Sequence, residues 1–375
     1  MAESGSTWST WITNLAYTGG SLMAGMLVLL YMYQDKLLYF PTIPGASKFT
    51  RDNPAGYRHP GELGIAYEDL MIRTKDGVHV HAWLMKQQDS ATRLTVIFFH
   101  GNAGSTCCGS NQSAYRWVAC SHGVSYVDIG YRLPNAAHLY QRASCNVLLV
   151  DYRGFGHSEG EPSEAGLKLD AEAVLDAMLE RKDIDTTKLV VFGRSLGGAV
   201  AVHLAKAAPE KIAGVILENT FLSISSMVDS LMPFLTYLKP LVLRIEWNNE
   251  RDIAFVSHPI LFIAGQQDEL VPHTHMKTLH ARATKSRRAV WLPIPNGTHN
   301  DTWLRGGDLY FDKLRQFLES LAASPSSSDT CSTDQPSPSV DTAVLGSTTQ
   351  EGAIPNMLQQ PILGSIMKKD KSKEE

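Results

Sequence analysis

Gly193-Arg-Ser-Leu-Gly197 follows directly on the apolar run Lys188-Leu-Val-Val-Phe192, and this stretch decides the fold. The run predicts a buried strand, and the residues from Leu196 to about Ala208 predict a helix. A serine held at so tight a strand-to-helix turn adopts a strained backbone, which survives only if its neighbours are small. The turn holds the hydroxyl clear of the surface and points helix amides at the same place. The sequence therefore predicts a nucleophilic serine at residue 195.

Two further side chains follow in the order that such a serine requires, an acid and then a histidine. Asp268 lies in the loop after the apolar strand pattern 259–265, and His299 lies in the loop after the short strand pattern 289–293. A serine hydroxyl is a poor nucleophile until an imidazole takes its proton, and the imidazole needs a carboxylate to fix its tautomer. We predict that Ser195, Asp268 and His299 form a catalytic triad.

Other interpretations remain open for some of these side chains. Asp268 is also suited to capping a turn, and Glu218, at the end of the strand pattern 214–218, is a rival acid. His79 and His81 alternate along one strand, which is also compatible with a metal site. Nothing else supplies ligands and no zinc spacing is found, so a solvated strand face is favoured. We predict neither a metal nor a cofactor.

An oxyanion hole is predicted at the loop that follows the strand pattern 94–99. This loop, His100-Gly-Asn-Ala-Gly104, is rich in glycine, which lets the backbone approach a ligand closely. The amide of Asn102, or that of Ala103, is one predicted donor to the oxyanion. The amide of Leu196 is the second.

Strand and helix patterns alternate through residues 67–322, which predicts an α/β domain with a mostly parallel sheet and helices on both faces. Residues 67–84 predict a hairpin at its start. Residues 222–252 break the alternation and are rich in Leu, Met, Phe and Pro. They are interpreted as a small helical lid suited to an acyl chain, or equally as additional core.

The N-terminal part predicts a membrane anchor. Residues 15–33 are apolar and uncharged, with a length near that of a bilayer core and aromatic residues at both ends. The segment lacks a basic start and a cleavage site, so a retained anchor is favoured over a signal peptide, and a buried soluble helix is the alternative. Residues 1–14 precede the anchor, and residues 34–66 are expected to be a linker. Basic residues after the span favour a cytosolic domain, with the organelle left open.

Composition limits the partners of the chain. The formal net charge is −4 and the folded part carries no basic cluster, which argues against nucleic-acid binding. Five cysteines do not make a disulfide framework. Residues 323–375 are rich in Ser, Thr, Pro, Gln and Asp and are predicted to form a disordered tail. No oligomeric state is predicted.

Five motifs carry a family resemblance: HGNAG at 100–104, DYRGFGHS at 151–158, GRSLGG at 193–198, a Gly-x-x-Asp at 265–268 and GTHND at 297–301. Together they resemble the membrane-anchored α/β-hydrolase domain-containing proteins, in the group named for bud emergence in fungi and wavy root growth in plants. The resemblance covers about residues 15–320. It implies an α/β-hydrolase fold and a serine hydrolase with an N-terminal anchor. Related members act on lipid esters or on fatty-acyl thioesters of proteins.

The chain departs from this family at one place. Similar proteins pass from HGNAG almost directly into a helix, whereas here residues 105–128 intervene. This insert is either a tolerated surface loop or translated non-coding sequence, and the second is favoured.

From the triad, the anchor and the resemblance, we expect a membrane-tethered hydrolase of acyl esters or thioesters, with acyl-lipid or acylated-protein substrates and the bilayer as partners. The alternative is a catalytically impaired, hydrolase-like scaffold in membrane signalling.

Overall fold

The computed structural model describes residues 4–42, 47–102 and 128–323. The unit that contains the sheet ends at Ala322. The predicted tail lies outside the described residues, apart from Ala323.

Eight strands are found in the described part of the chain. They are β1 (Tyr67–Arg73), β2 (His79–Met85), β3 (Thr95–Phe99), β4 (Asn146–Val150), β5 (Leu189–Arg194), β6 (Gly214–Glu218), β7 (Ile260–Gly265) and β8 (Ala289–Ile294). The α-helices of the same residues are α1 (Ser4–Leu38), α2 (Leu133–Arg142), α3 (Glu164–Leu179), α4 (Leu196–Ala207), α5 (Ile224–Leu231), α6 (Lys239–Val242), α7 (Asn249–Asp252), α8 (His273–Arg282) and α9 (Thr302–Ala322).

The strands form one sheet in the order β1-β2-β4-β3-β5-β6-β7-β8. The β1–β2 hairpin and the β2–β4 pair are antiparallel, and every other pair is parallel. The five strands from β3 to β7 are buried along their whole length, as continuous apolar runs between two layers of helix require. The predicted α/β class, with helices on both faces of a mostly parallel sheet, is confirmed.

The core lies on both faces of the sheet, because successive side chains of a strand point to opposite sides. Ile97 and Phe99 of β3 belong to the cluster that α3, α4 and α8 cover. Val96 and Phe98 of the same strand belong to the cluster that α2 and α9 cover. Burying each of these side chains stabilises the fold by roughly 1.5–3 kcal/mol. Because β3 and β5 to β8 run parallel, the carboxyl ends of β3, β5, β7 and β8 lie at one edge of the sheet.

The N-terminal helix is longer than the predicted anchor. Its apolar part, Trp8–Leu38, has 31 residues and is long and apolar enough to cross a membrane. The segment 34–66, expected to be a linker, packs against the domain in its described part, where Tyr39 and Ile65 are buried in the core. The segment 222–252, interpreted as a lid or as additional core, contains the short helices α5, α6 and α7, and it has two sides. Ile245 and Trp247 are buried, whereas much of its apolar surface is exposed.

Candidate active site

Ser195 stands between β5 and α4 with φ 53° and ψ −118°, a backbone conformation that costs a non-glycine residue about 1–3 kcal/mol. The surrounding contacts enforce it. A Cβ on Gly197 would lie 2.0 Å from the carbonyl oxygen of Phe99, and one on Gly193 would lie 2.1 Å from that of Gly197. The hydroxyl of Thr220 donates to the Ser195 carbonyl at 2.7 Å. The elbow is therefore held by packing that admits no side chain at the two glycines.

His299 lies in the loop between β8 and α9, and its ring reaches Ser195. Its Nε2 is 3.0 Å from Ser195 Oγ, and its Nδ1 is 2.8 Å from Asp268 Oδ2. Both distances are those of hydrogen bonds. Ser195 and His299 are buried, at 8% and 4% exposure, so the contact is sheltered from bulk water. The structure thus brings the three predicted side chains together in the order that proton transfer requires.

Asp268 lies in the loop after β7, and both of its oxygens are engaged. Oδ1 accepts from the backbone N–H of Leu270 at 2.9 Å and from that of Val271 at 2.8 Å. Oδ2 is then the oxygen that faces His299. The capping interpretation and the triad interpretation of this residue are therefore compatible, because one oxygen serves each.

Glu218, the rival acid, faces a different part of the molecule. Its Oε2 lies 3.0 Å from Arg194 Nη2 and accepts from the hydroxyl of Tyr310 at 2.8 Å. Arg194 also donates to Asn135 Oδ1 at 2.8 Å. Burial raises the pKa of Tyr310 well above its usual value, so this phenol stays protonated and donates. Glu218 therefore belongs to a buried ion pair beside the elbow, away from His299.

Asn219 ties the site together, and sequence reasoning missed it. Its Nδ2 donates to the carbonyl oxygens of Thr298 and His299 and to the hydroxyl of Thr302, while its Oδ1 accepts from the Gly265 N–H at 2.8 Å. One side chain thus joins the histidine loop to the end of β7. Its φ of 48° is one that asparagine tolerates. The available signal was an asparagine directly after the buried strand that ends at Glu218.

The loop of the predicted oxyanion hole lies against Ser195. A Cβ on Gly101 would be 3.1 Å from Ser195 Cβ. The next residue, Asn102, is held by its side chain: Nδ2 donates to the carbonyl of Leu38, and Oδ1 accepts from the Phe40 N–H at 3.2 Å. Leu196 is the first residue of α4, so its amide has no partner within that helix. The roles of the Asn102 and Leu196 amides stay predictions.

Two other parts of that prediction concern residues outside the described ranges. Ala103, the alternative donor, lies outside the described residues, and so does the insert up to residue 127. Asp128, its last residue, is described. Its carboxylate accepts from the Gly130 N–H at 2.8 Å and from Asn53 Nδ2 at 2.9 Å.

The remaining histidines and acids do not assemble into a metal centre within residues 4–42, 47–102 and 128–323. His79 pairs with Glu159, and His81 lies between Asp69 and Asp151. His100 is buried, which lowers its pKa to about 4 and keeps it neutral at ordinary pH.

Comparison with known sequences identifies the family. The model described as serine aminopeptidase, S33, matches residues 112–278, which is less than half of the chain. The α/β-hydrolase domain-containing protein WAV2 of Arabidopsis thaliana is 38% identical over 333 residues, covering 86% of this chain and 99% of WAV2. The chain belongs to the α/β-hydrolase domain-containing family. The predicted resemblance is confirmed.

Two fungal relatives extend the match. Protein bem46 of Schizosaccharomyces pombe is 34% identical, covering 81% of this chain and 93% of bem46. A protein of Saccharomyces cerevisiae described as an uncharacterised membrane protein is also 34% identical, covering 82% of this chain and 97% of its own. Among solved structures, the Pyrococcus furiosus esterase Pf2001 superposes with a TM-score of 0.55 at 18% identity, covering 76% of this chain and 98% of the esterase. That likeness supports the fold alone.

Proposed function

We propose that this α/β-hydrolase family member is a serine hydrolase, tethered to a membrane by α1, that cleaves acyl esters or thioesters through an acyl-enzyme. One observation carries the proposal. Asp268 Oδ2, the His299 ring and Ser195 Oγ form a continuous hydrogen-bonded line, with separations of 2.8 and 3.0 Å, at a strained turn. This arrangement is the one that activates a serine hydroxyl.

Acylation begins when His299 Nε2 takes the proton of Ser195 and Oγ attacks the acyl carbonyl carbon. Asp268 holds the proton on Nδ1, so Nε2 is free to accept, and it stabilises the imidazolium that forms. The carbonyl electron pair moves to oxygen, which the Leu196 amide and an amide of the loop at Asn102 stabilise in this proposal. Each such donor contributes about 3 kcal/mol in the transition state. The imidazolium then protonates the departing alcohol or thiol as its bond to the acyl carbon breaks.

Deacylation repeats the same steps with water as the nucleophile. His299 takes one proton from a water molecule, whose oxygen attacks the acyl carbon of the ester at Ser195. The second tetrahedral intermediate collapses, Oγ leaves with the proton of the imidazolium, and the carboxylic acid is released. The enzyme returns to its starting protonation state, so no co-reactant other than water is required.

Membrane tethering and its orientation are also part of the proposal. The length of the Trp8–Leu38 helix supports a single span, and so does the description of the budding-yeast relative as a membrane protein. Lys36 lies at the end of this helix, and Lys48 and Arg51 follow it, which favours a cytosolic domain. The glycosylation patterns at 296–298 and 300–302 flank His299, where a glycan would obstruct the site, and this also favours the cytosol.

The first experiment is labelling with a fluorophosphonate probe in membranes from cells that express the full chain. We expect the wild-type protein to be labelled and Ser195→Ala to be unlabelled. Ser223→Ala is the matched control, because Ser223 is equally buried and also precedes a helix, yet it caps α5 by accepting from the Ser226 N–H. Equal labelling of wild type and Ser195→Ala would overturn the proposal, and so would no labelling of either.

A deletion tests the scaffold alternative. It should remove residues 105–127 and keep Asp128, because that carboxylate caps Gly130 and bonds Asn53. If the deleted form is labelled and the full chain is not, the insert disables a competent site. If the full chain is labelled, the scaffold alternative is excluded. A pair of substrates with the same acyl chain, one an oxygen ester and one a thioester, then defines the leaving group.

A further inference from the structure

Large apolar side chains are exposed together at one place on the hydrolase domain. Five of them lie within residues 231–241, and we call this surface the lid patch. Phe234 is 75% exposed, Tyr237 90% and Leu241 71%. The other two members are Leu231 and Met232. Exposed apolar residues elsewhere on the described domain are scattered, as with Met71 and Leu309. A cluster of this kind marks an interaction surface.

The lid patch is fixed to the end of the N-terminal helix. Gln34 Nε2 donates to the carbonyl of Val242 at 2.9 Å, directly after Leu241. Gln34 Oε1 accepts from the backbone N–H groups of Arg244 at 2.8 Å and Ile245 at 3.1 Å. These contacts join residues more than two hundred positions apart in the sequence. The side chain of one glutamine of α1 is therefore hydrogen-bonded to three backbone groups of the segment that carries the patch.

Two further contacts make the attachment firm. Trp247 Nε1 donates to the hydroxyl of Tyr39 at 2.8 Å, and both side chains are buried. Arg244 forms an ion pair with Asp35. Lys239 is paired with Asp229, so the charged side chains between residues 229 and 244 are all paired. The surface around the patch thus has little charge to keep it in water.

The position of this attachment along α1 sets the depth at which the patch would lie in a bilayer that α1 crosses. Tyr31 and Tyr33 are placed like an interfacial belt, and Asp35 and Lys36 are the charged residues that follow. The hydrocarbon core of a bilayer, about 30 Å thick, takes about twenty residues of helix. The Trp8–Leu38 helix exceeds this, so its charged end reaches the headgroup level. In a bilayer that α1 crosses, Gln34 and the patch bonded to it would lie at that level.

We propose that the lid patch rests in the interface of the bilayer that α1 crosses, so that the site draws its acyl chain from that bilayer. This inference rests on the membrane tethering proposed above. Continuity with the apolar span argues for lipid as the occupant. The active site is close to the same end of α1. Asn102 is hydrogen-bonded to the backbone of Leu38 and Phe40, and the preceding residue, Gly101, lies beside Ser195. The substrate class is an ester or thioester whose acyl chain is embedded in a membrane.

The direct test is photolabelling of the full-length protein in phosphatidylcholine vesicles that contain a phosphatidylcholine with a diazirine in its acyl chain. Crosslinked peptides are identified by mass spectrometry. We expect lipid adducts within 231–241 as well as in α1, and none at Met71 or Leu309, which serve as exposed apolar controls in the same molecule.

Each other outcome of the photolabelling has a defined meaning. Adducts in α1 without adducts in 231–241 would overturn the lid inference and leave the tether in place. No adducts in either segment would overturn the tether itself. A photoreactive amino acid at residue 237 that crosslinks to a second copy of the chain, in a protein that gives no lipid adducts within 231–241, would overturn lipid as the occupant and assign the patch to self-association.

A variant pair gives an independent readout. The double variant Phe234→Glu with Tyr237→Glu places charges on the patch, and Met71→Glu with Leu309→Glu places the same charges elsewhere. The quantity measured is the ratio of turnover on a vesicle-embedded ester to turnover on a dispersed short-chain ester. We expect this ratio to fall about tenfold or more in the patch variant, because interfacial burial of aromatic side chains is lost. An unchanged ratio, or an equal fall in the control pair, would overturn the inference.

Discussion

Asp268→Asn is a sharp test of the proposed triad because Asp268 uses its two oxygens for different partners. Oδ1 accepts from the N–H groups of Leu270 and Val271, at 2.9 and 2.8 Å, and Oδ2 faces His299 Nδ1 at 2.8 Å. An asparagine keeps one oxygen. The two backbone donors hold that oxygen at the Oδ1 position, because an NH₂ group there would face two N–H donors and leave the part-buried N–H of Val271 without its acceptor, at a cost of about 1–3 kcal/mol. The new NH₂ group must then face the histidine.

The consequence is a change of tautomer. The asparagine NH₂ donates to His299 Nδ1, which has to accept, so the ring proton moves to Nε2. Nε2 then faces Ser195 Oγ as a donor and cannot take its proton. We expect kcat to fall by about 10⁴-fold, the loss that the wrong tautomer causes in such a triad. At 1.36 kcal/mol per factor of ten, this corresponds to about 5.4 kcal/mol.

The assay is hydrolysis of p-nitrophenyl butyrate by the full chain in detergent, with Ser195→Ala as the baseline. Glu269→Gln is the neighbouring control. Glu269 accepts from the backbone N–H of His299 at 3.1 Å, and a glutamine keeps an acceptor there, so we expect less than a tenfold loss. Activity of Asp268→Asn above one tenth of wild type would refute the reasoning. An equal loss in Glu269→Gln would also refute it, because the effect would then belong to the loop and not to the tautomer.

Three further predictions concern the surroundings of the site. Glu218→Gln leaves Arg194 buried without its counter-charge. The unfolding free energy measured in urea should therefore fall by about 3–5 kcal/mol, while the folded enzyme keeps its kcat. A loss of kcat at unchanged stability would instead identify Glu218 as the acid of the triad. Burial, with a contribution from Asp151, raises the pKa of Asp128 to about 7. The folded protein therefore keeps the Asp128 proton to a higher pH than the unfolded chain, whose carboxyl pKa is about 4. The unfolding free energy of wild type relative to Asp128→Asn should fall as pH rises from about 4 to about 7 and should stay constant above that. A difference that does not change with pH would contradict this prediction. Asn102→Ala removes the two side-chain contacts to Leu38 and Phe40 at the end of α1 but keeps the backbone amide. We therefore expect kcat to fall by less than the roughly 10²-fold loss that removal of an oxyanion donor causes. A larger loss would mean that the contact with α1 positions the loop.

Much of the fold was predictable because it depends on local patterns. The strands of the parallel part are short apolar runs bounded by turn residues. The patterns 94–99, 188–192, 214–218, 259–265 and 289–293 agree with β3, β5, β6, β7 and β8 to within one or two residues. The elbow at Ser195 was predictable for a steric reason. Gly193 and Gly197 stand where a Cβ would strike backbone oxygen, so the sequence can hold no other residue there.

The contacts that complete the site were not predictable because they are distant in sequence and chemically ordinary. Gln34 is one glutamine near a helix end, and only the fold places it against Val242. Asn219 joins two loops that a single sequence does not show to be neighbours. The sequence favours Asp268 over Glu218 as the acid but does not exclude Glu218, for the same reason. Both follow buried strands, and the partner that separates them, Arg194, is known only from the packing.

The structure also bears on whether the insert disables the site. Asn102 and Asp128 are the described residues on either side of residues 103–127, and each has contacts with parts of the chain outside that stretch. Asn102 is held by α1, and its carbonyl accepts from Arg132 Nη2 at 3.3 Å, four residues beyond Asp128. Asp128 is held by Asn53 and Gly130. Both ends are therefore bonded to the folded domain, and lengthening a loop between fixed ends costs only about 0.6 kcal/mol per doubling. Because these contacts come from outside the insert, we expect the full chain to react with the fluorophosphonate, and the form without 105–127 to react at a similar rate.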